Sequence, residues 1–111
     1  MKRAILLIGL LLAFDVGAAL SGNDLMEKCS NTEKMILNYP DGFCDGFVLA
    51  VAEVLRNASV AELRACISET ATYGQLGRVV GKYLRNHPEQ LHHSAHSLVA
   101  KALSEAFPCK Q

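Results

Sequence analysis

The segment RNHPEQLHHSAH, residues 85–96, contains every histidine of the chain: His87, His92, His93 and His96. On a helix, His92 and His96 would share one face, a spacing that zinc sites use, and the third ligand would be His87 or Glu89. A structural zinc site needs four ligands, however, and we expect His92 to precede the helix proper. We therefore predict no metal site here and keep a metal carrier as a minor alternative.

An enzymatic role has little support in the sequence. Hydrolysis requires a nucleophile, a base and an oxyanion donor within mutual reach. Ser94 and Ser97 lie outside any nucleophile-elbow motif, and the chain shows neither a carboxylate pair nor a glycine-rich phosphate loop. We predict no catalytic residue and no cofactor.

The same histidine-rich segment is better suited to protein binding. Pro88 stiffens it, and a helix on each side would hold it in place, so that few groups need to be ordered on association. We predict that it contacts a protein partner through His87, Glu89, Gln90, Leu91, His92 and His93. Two simpler interpretations stay open: the loop only connects helices, or Leu91 folds inward against the following helix.

Residues 1–19 are expected to be a secretory signal peptide. Lys2 and Arg3 precede an apolar run from Ala4 to Leu12, and small residues that suit cleavage follow it. The run is too short to span a bilayer comfortably. We therefore expect residues 20–111 to form one soluble, exported domain.

Composition indicates how this domain is stabilised and which partners it does not bind. A chain of about 92 residues builds only a marginal hydrophobic core, and four cysteines form an even set in an exported protein, so we expect two disulfides. The full chain has 11 basic and 11 acidic residues. It shows no basic patch with interleaved aromatic residues, which argues against nucleic acid as a partner, and no basic amphipathic face, which argues against the membrane surface.

Apolar residues recur at intervals of three and four from Ser21 onward, which predicts an all-α bundle of four to five helices. The first helix would run from Asn23 to about Cys29, capped by Ser21 or Asn23. The second would begin near Pro40 and continue to Asn57. Its apolar face would consist of Phe43, Phe47, Val48, Val51, Val54 and Leu55.

Two features of the middle of the chain leave alternatives open. Gly42 and Gly46 lower helix propensity by roughly 1 kcal/mol each relative to alanine. They suggest close approach of a neighbouring helix, a late helix start, or a turn through Gly42. After the second helix, Ser59 and Glu62 match a capping box, which predicts a brief helical turn in the connector before Cys66.

The clearest helix prediction begins at a second capping box, Thr72–Gln75, and must end just before Pro88. Its apolar face contains Leu76, Val79, Val80, Tyr83 and Leu84. A fourth helix would begin near Ser94 and end at Pro108. Because the link between them is short, these two helices should pack as an antiparallel hairpin.

Four cysteines allow three disulfide pairings, and the hairpin favours one of them. The start of the third helix would lie beside the end of the fourth, which brings Cys66 near Cys109. By the same logic, Cys29 at the end of the first helix lies near Cys44 at the start of the second. We predict Cys29–Cys44 and Cys66–Cys109, which contribute roughly 3 and roughly 4 kcal/mol on the chain-entropy model.

Several blocks between Gly22 and Cys109 form a recognisable set. They are GNDLMEKC, FCDGFVLAVAEVL, GQL followed by a valine-rich helix ending YL-x-x-HPE, and SLV-x-x-AL-x-EAFPC. Together they resemble the Rap/Tai family of small exported immunity proteins. The chain departs from that family in the connector, where CISETATYGQL lacks the usual Pro-x-Gly-Val type of turn.

The resemblance implies a compact helical protein of the periplasm that neutralises a peptidoglycan amidase effector delivered by a type VI secretion system. Family members bind the amidase and cover its active-site cleft, often as dimers, so residues 87–93 become the candidate for entry into that cleft. The alternative is a periplasmic structural or chaperone-like protein of the same fold without a toxin partner. Exposed apolar patches that bind unfolded clients would favour that alternative.

Overall fold

The computed structural model describes residues 19–29 and 39–110. These ranges contain α1 Gly22–Cys29, α2 Tyr39–Asn57, α3 Tyr73–Asn86 and α4 Ala95–Ala106, with a 3-10 turn at Pro88–Gln90. The described residues form isolated β-bridges but no strand, and the all-α prediction is confirmed. The predicted signal peptide lies, except for Ala19, outside the described residues. None of the described helices combines the length and hydrophobicity needed to cross a membrane.

A reciprocal cap starts α1, one residue earlier than predicted. Ser21 Oγ accepts a hydrogen bond from Asp24 N at 3.2 Å, and Asp24 Oδ2 accepts one from Ser21 N at 3.0 Å. These bonds satisfy backbone groups that the first helical turn leaves unpaired. Ser21 N and Ser21 Oγ both donate to Asp24 Oδ2, and these two bonds hold the pKa of Asp24 below its ordinary value because they favour the ionised carboxylate. Ser21 is therefore the cap of α1.

Five of the six residues predicted for the apolar face of α2 belong to the core or pack against it, and Val54 does not. The fully buried stripe of α2 consists of Cys44, Val48, Val51, Ala52 and Leu55. Phe43 and Phe47 flank this stripe, half-buried, with ring centroids 6.2 Å apart. The prediction that Val54 faces the core is wrong, since its side chain is 51% exposed. Val54 lies about 100° around the helix from Leu55, which carries it past the flank into solvent.

Gly42 and Gly46 both lie inside α2, which begins at Tyr39. A late helix start and a turn through Gly42 are therefore excluded. A Cβ atom at either position would meet no atom of the described residues within 4 Å. Close approach of a described helix does not explain these glycines either, and the described part of the chain gives no packing reason for the helix propensity that they cost α2.

The predicted hairpin of α3 and α4 is confirmed. Thr72 Oγ1 accepts a hydrogen bond from Gln75 N at 3.1 Å, which is the expected cap of α3. Each helix ends two residues before a proline. At the other end of the pair, Cys66 N donates to Phe107 O at 2.8 Å. The chain that leads into α3 therefore lies beside the chain that leaves α4.

The connector contains a tight turn where a helical turn was expected. Val60 and Leu63 exchange backbone hydrogen bonds of 3.0 and 2.9 Å around Ala61 and Glu62. These two residues have φ angles of 49° and 65°. Consecutive left-handed residues are the pattern of a type I′ hairpin turn. The capping-box prediction at Ser59 is wrong because no apolar helical repeat follows it, and the chain instead closes on itself.

Both predicted disulfides, Cys29–Cys44 and Cys66–Cys109, are present. The first joins α1 to α2 inside the core, where neither cysteine is more than 1% exposed. The second lies at the surface, with Cys66 exposed and Cys109 half-buried. All four helices contribute to the core, whose largest fully buried side chains include Leu25, Leu55, Leu76, Leu84, Leu98 and Leu103.

Candidate functional site

Residues 87–94, here named the tip loop, join α3 to α4. The tip loop contains all six residues predicted to contact a partner. The structure separates them by exposure, with the side chains of Glu89, His92 and His93 exposed, those of His87 and Gln90 half-buried, and that of Leu91 buried. The six residues therefore differ in how much of each side chain a partner could contact.

His87 closes the C-terminal end of α3. Its N–H donates to Leu84 O at 3.3 Å, and its Nδ1 lies 2.8 Å from Tyr83 O. The imidazole stacks on the Tyr83 ring with centroids 4.0 Å apart. These contacts hold the His87 ring against α3, where it supports the tip loop.

Gln90 links the two helices across the tip loop. Its Oε1 accepts hydrogen bonds from Tyr83 Oη at 3.0 Å and from Lys101 Nζ at 3.4 Å. Burial raises the pKa of Tyr83, and the charge of Glu105 adds to the effect. The phenol therefore stays protonated and available as a donor to Gln90 well above neutral pH.

The Leu91 side chain folds inward, as one of the simpler interpretations proposed. It is 8% exposed and belongs to the core. Its carbonyl oxygen accepts hydrogen bonds from Asn23 N at 2.9 Å and from Asn23 Nδ2 at 3.2 Å. In this conformation Leu91 anchors the tip loop to the body of the protein.

Residues 20–23, here named the crossing segment, pair with the tip loop and the start of α4. Gly22 N donates to His93 O at 2.9 Å, and Ala95 N donates to Leu20 O at 2.7 Å. Gly22 is buried, and a Cβ atom there would overlap Leu98 Cδ1 and lie 2.9 Å from the Leu91 carbonyl oxygen. Glycine at position 22 thus permits the two backbones to approach closely.

The local sequence does not reveal this pairing. Asn23 and Leu91 are 68 positions apart, and most of the bonds join backbone atoms, which leave no side-chain pattern. The one available signal is Gly22, a poor helix former in the first turn of α1. The sequence predicted that a helix on each side would hold the tip loop. The crossing segment is a third element that holds it.

The exposed part of the tip loop offers the carboxylate of Glu89 and the imidazoles of His92 and His93. The two imidazole rings meet edge to face, with centroids 4.3 Å apart. His96 is exposed on α4, whereas His92 precedes that helix, so the two do not form a helical pair. Within residues 19–29 and 39–110, no group of three His, Cys, Asp or Glu side chains is placed to hold a metal ion.

Ser94 and Ser97 bond to each other at the start of α4. Their hydroxyl oxygens lie 2.7 Å apart, and Ser97 Oγ donates to Ser94 O at 2.8 Å. No described histidine forms a hydrogen bond with either hydroxyl. The arrangement is that of a helix start, in contrast to a nucleophile held beside its base.

The fold and the tip loop define a class: small disulfide-stapled helical domains that present a preordered surface loop, an arrangement suited to binding another protein. A family model described as Rap1a immunity proteins matches residues 21–109. The chain belongs to this family of immunity proteins, which confirms the resemblance found in its motifs. No curated protein and no solved structure matches the chain.

Proposed function

We propose that this chain is a periplasmic immunity protein that binds and blocks a peptidoglycan amidase effector of a type VI secretion system. Membership of the immunity family over residues 21–109 supports the protective role. The two disulfides suit an oxidising compartment such as the periplasm, to which the predicted signal peptide would direct the chain. The amidase as target follows from the Rap/Tai resemblance.

The observation that carries the proposal is the preordered tip loop. Contacts from α3, α4 and the crossing segment hold its backbone, while Glu89, His92 and His93 remain exposed. A loop that is already ordered loses little conformational freedom when it enters a cleft. Its carboxylate and imidazoles would hydrogen-bond to the catalytic cysteine and histidine of the amidase, so the chain acts as an inhibitor without catalytic residues of its own.

The first experiment identifies the partner. Immunity genes lie beside the genes of their toxins, so the amidase encoded next to this chain is the protein to express. Co-production of the two proteins in the periplasm should prevent lysis, and the purified pair should form a complex in which amidase activity is lost. Absence of both protection and binding would contradict the proposal.

The second experiment tests the tip loop. His92→Ala with His93→Ala, or Glu89→Ala, should weaken the complex by about tenfold or more, as expected when exposed contact residues are truncated. His96→Ala is the matched control, because it removes an exposed imidazole from α4 outside the tip loop. Equal loss in the control and the tip variants would place the interface elsewhere.

The resemblance also implies a homodimer, which sedimentation of the free protein tests.

A further inference from the structure

An open cleft of about 440 Å³ lies between the end of α2 and the start of α3. It is lined by Glu53, Arg56, Glu69, Ala71, Thr72 and Tyr73. Tyr73 begins α3 and Asn86 ends it, so the helix rise separates the cleft from the tip loop by about 20 Å. The cleft and the tip loop are therefore separate surfaces.

Tyr73 lines this cleft with an aromatic ring that is not packed into the core of the described part of the chain. Its side chain is 62% exposed, and its hydroxyl makes no hydrogen bond to a described residue. By contrast, Tyr83 is 8% exposed and donates to Gln90. Exposed tyrosines supply large contact area with little loss of side-chain freedom, which is why they are frequent at binding surfaces.

The described lining residues of the cleft include two carboxylates and one cation, which differ in whether they already have a partner. Arg56, the one cation among the described lining residues, already has partners: Nε lies 3.4 Å from Glu53 Oε1, and Nη1 donates to Ile67 O at 3.4 Å. Glu69 is exposed and makes no ion pair or hydrogen bond with a described residue. The cleft thus combines an unpaired carboxylate with an aromatic face and has a net negative charge.

We infer that this cleft binds a cationic side chain, the guanidinium of arginine or the ammonium of lysine, carried on a basic peptide segment of a partner protein. The Tyr73 ring supplies a cation–π face, and the Glu69 carboxylate accepts a charge-assisted hydrogen bond. Arg56 remains paired with Glu53, and both line the cleft. This site goes beyond the proposed inhibition through the tip loop and does not depend on it.

The test titrates the oxidised protein with a short acetylated and amidated peptide that carries two arginines, and follows it by two-dimensional NMR at low salt. Chemical shifts should change at residues 53–56 and 69–73 and stay constant in the tip loop. Tyr73→Ala and Glu69→Gln should each weaken binding by about tenfold, and Tyr73→Phe should preserve it, since the phenyl ring keeps the cation–π face. A lysine peptide should bind at the same residues.

Two matched controls make the result decisive. Glu62→Gln removes an exposed carboxylate outside the cleft and should leave the affinity unchanged. A peptide with norleucine in place of arginine should not bind. Equal weakening by Glu62→Gln and Glu69→Gln, equal binding of the norleucine peptide, or shift changes away from the cleft would each overturn the inference.

Discussion

The two ends of the α3–α4 hairpin are closed by different means. At the base, the Cys66–Cys109 disulfide and the hydrogen bond from Cys66 N to Phe107 O join the chain before α3 to the chain after α4. At the tip, the crossing segment pairs through backbone hydrogen bonds with residues 91–95. The base therefore depends on oxidation, whereas the tip depends on residues that directly follow the predicted signal peptide.

This difference separates the stability of the fold from the shape of the proposed binding loop. A covalent link acts mainly by restricting the unfolded chain, so its removal weakens the whole domain. Backbone hydrogen bonds and close packing act in the folded state and can be disturbed locally. Variants at the base should thus lower global stability, and variants in the crossing segment should also change the tip loop itself.

Removal of the base disulfide should have the largest effect. Cys66→Ala with Cys109→Ala releases a link across 43 positions and should lower the free energy of unfolding by about 4 kcal/mol. Urea unfolding followed by circular dichroism measures this loss. A loss below about 1 kcal/mol would mean that packing alone closes the base.

Partial reduction distinguishes the base from the core disulfide. Thiol exchange requires access to a sulfur atom, and Cys66 is exposed whereas Cys29 and Cys44 are buried. Mild reductant followed by alkylation and mass mapping should label Cys66 and Cys109 first. Earlier labelling of Cys29 and Cys44 would contradict this order.

At the tip, Gly22→Ala should destabilise the protein by about 1–3 kcal/mol, because the added methyl group would overlap Leu98 and press on the Leu91 carbonyl oxygen. Gly46→Ala is the matched control, since a Cβ atom there meets no described atom within 4 Å. It should stabilise α2 by up to about 1 kcal/mol through helix propensity. Thermal unfolding should therefore shift in opposite directions, and shifts of the same sign would refute the close approach at Gly22.

The contrast between base and tip also explains what the sequence can predict. The base was accessible to prediction because cysteines, helix caps and prolines are local signals, and together they specify the hairpin and both disulfides. The tip pairing was not, because Gly22 and Asn23 reach Leu91 and His93 through backbone atoms across the length of the chain. The inward fold of Leu91, by contrast, was one of the interpretations that the sequence left open.

The two errors in the fold have local physical causes. Val54 shares the apolar character of its neighbours, and periodicity alone does not define where the edge of a broad helical face meets solvent. Ser59 and Glu62 satisfy the spacing of a capping box, but Ala61 and Glu62 adopt a left-handed turn. A motif that depends on a helix has no effect where the helix does not form.

That turn, just before the base, provides a smaller test. Ala61 and Glu62 occupy a region of backbone conformation that glycine and asparagine adopt more readily. Glu62→Gly should therefore stabilise the protein by about 0.5–1 kcal/mol, a change that urea unfolding can measure. Ser59→Gly, at a residue without positive φ, should bring no gain. Equal effects of the two glycines would show that the left-handed geometry stores no strain.

The smallest expected effect concerns pH and the tip. Hydrogen bonds from Ser21 lower the folded-state pKa of Asp24, so the stabilisation they give is present above the unfolded-state pKa, at about pH 4, and is lost as pH falls through the lower folded-state value. Protonation should weaken the two hydrogen bonds that Ser21 donates to the Asp24 carboxylate and loosen the crossing segment.

Amide exchange of Gly22 and Ala95, whose N–H groups close the tip, reports this loosening directly. After correction for the intrinsic exchange rate, protection should fall below about pH 4 in the native chain, because only the ionised carboxylate holds the cap strongly. Asp24→Asn should remove that pH response, whereas Asp45→Asn, which alters an exposed carboxylate on α2, should retain it. A pH response that survives in Asp24→Asn would mean that acid acts on the tip through another group.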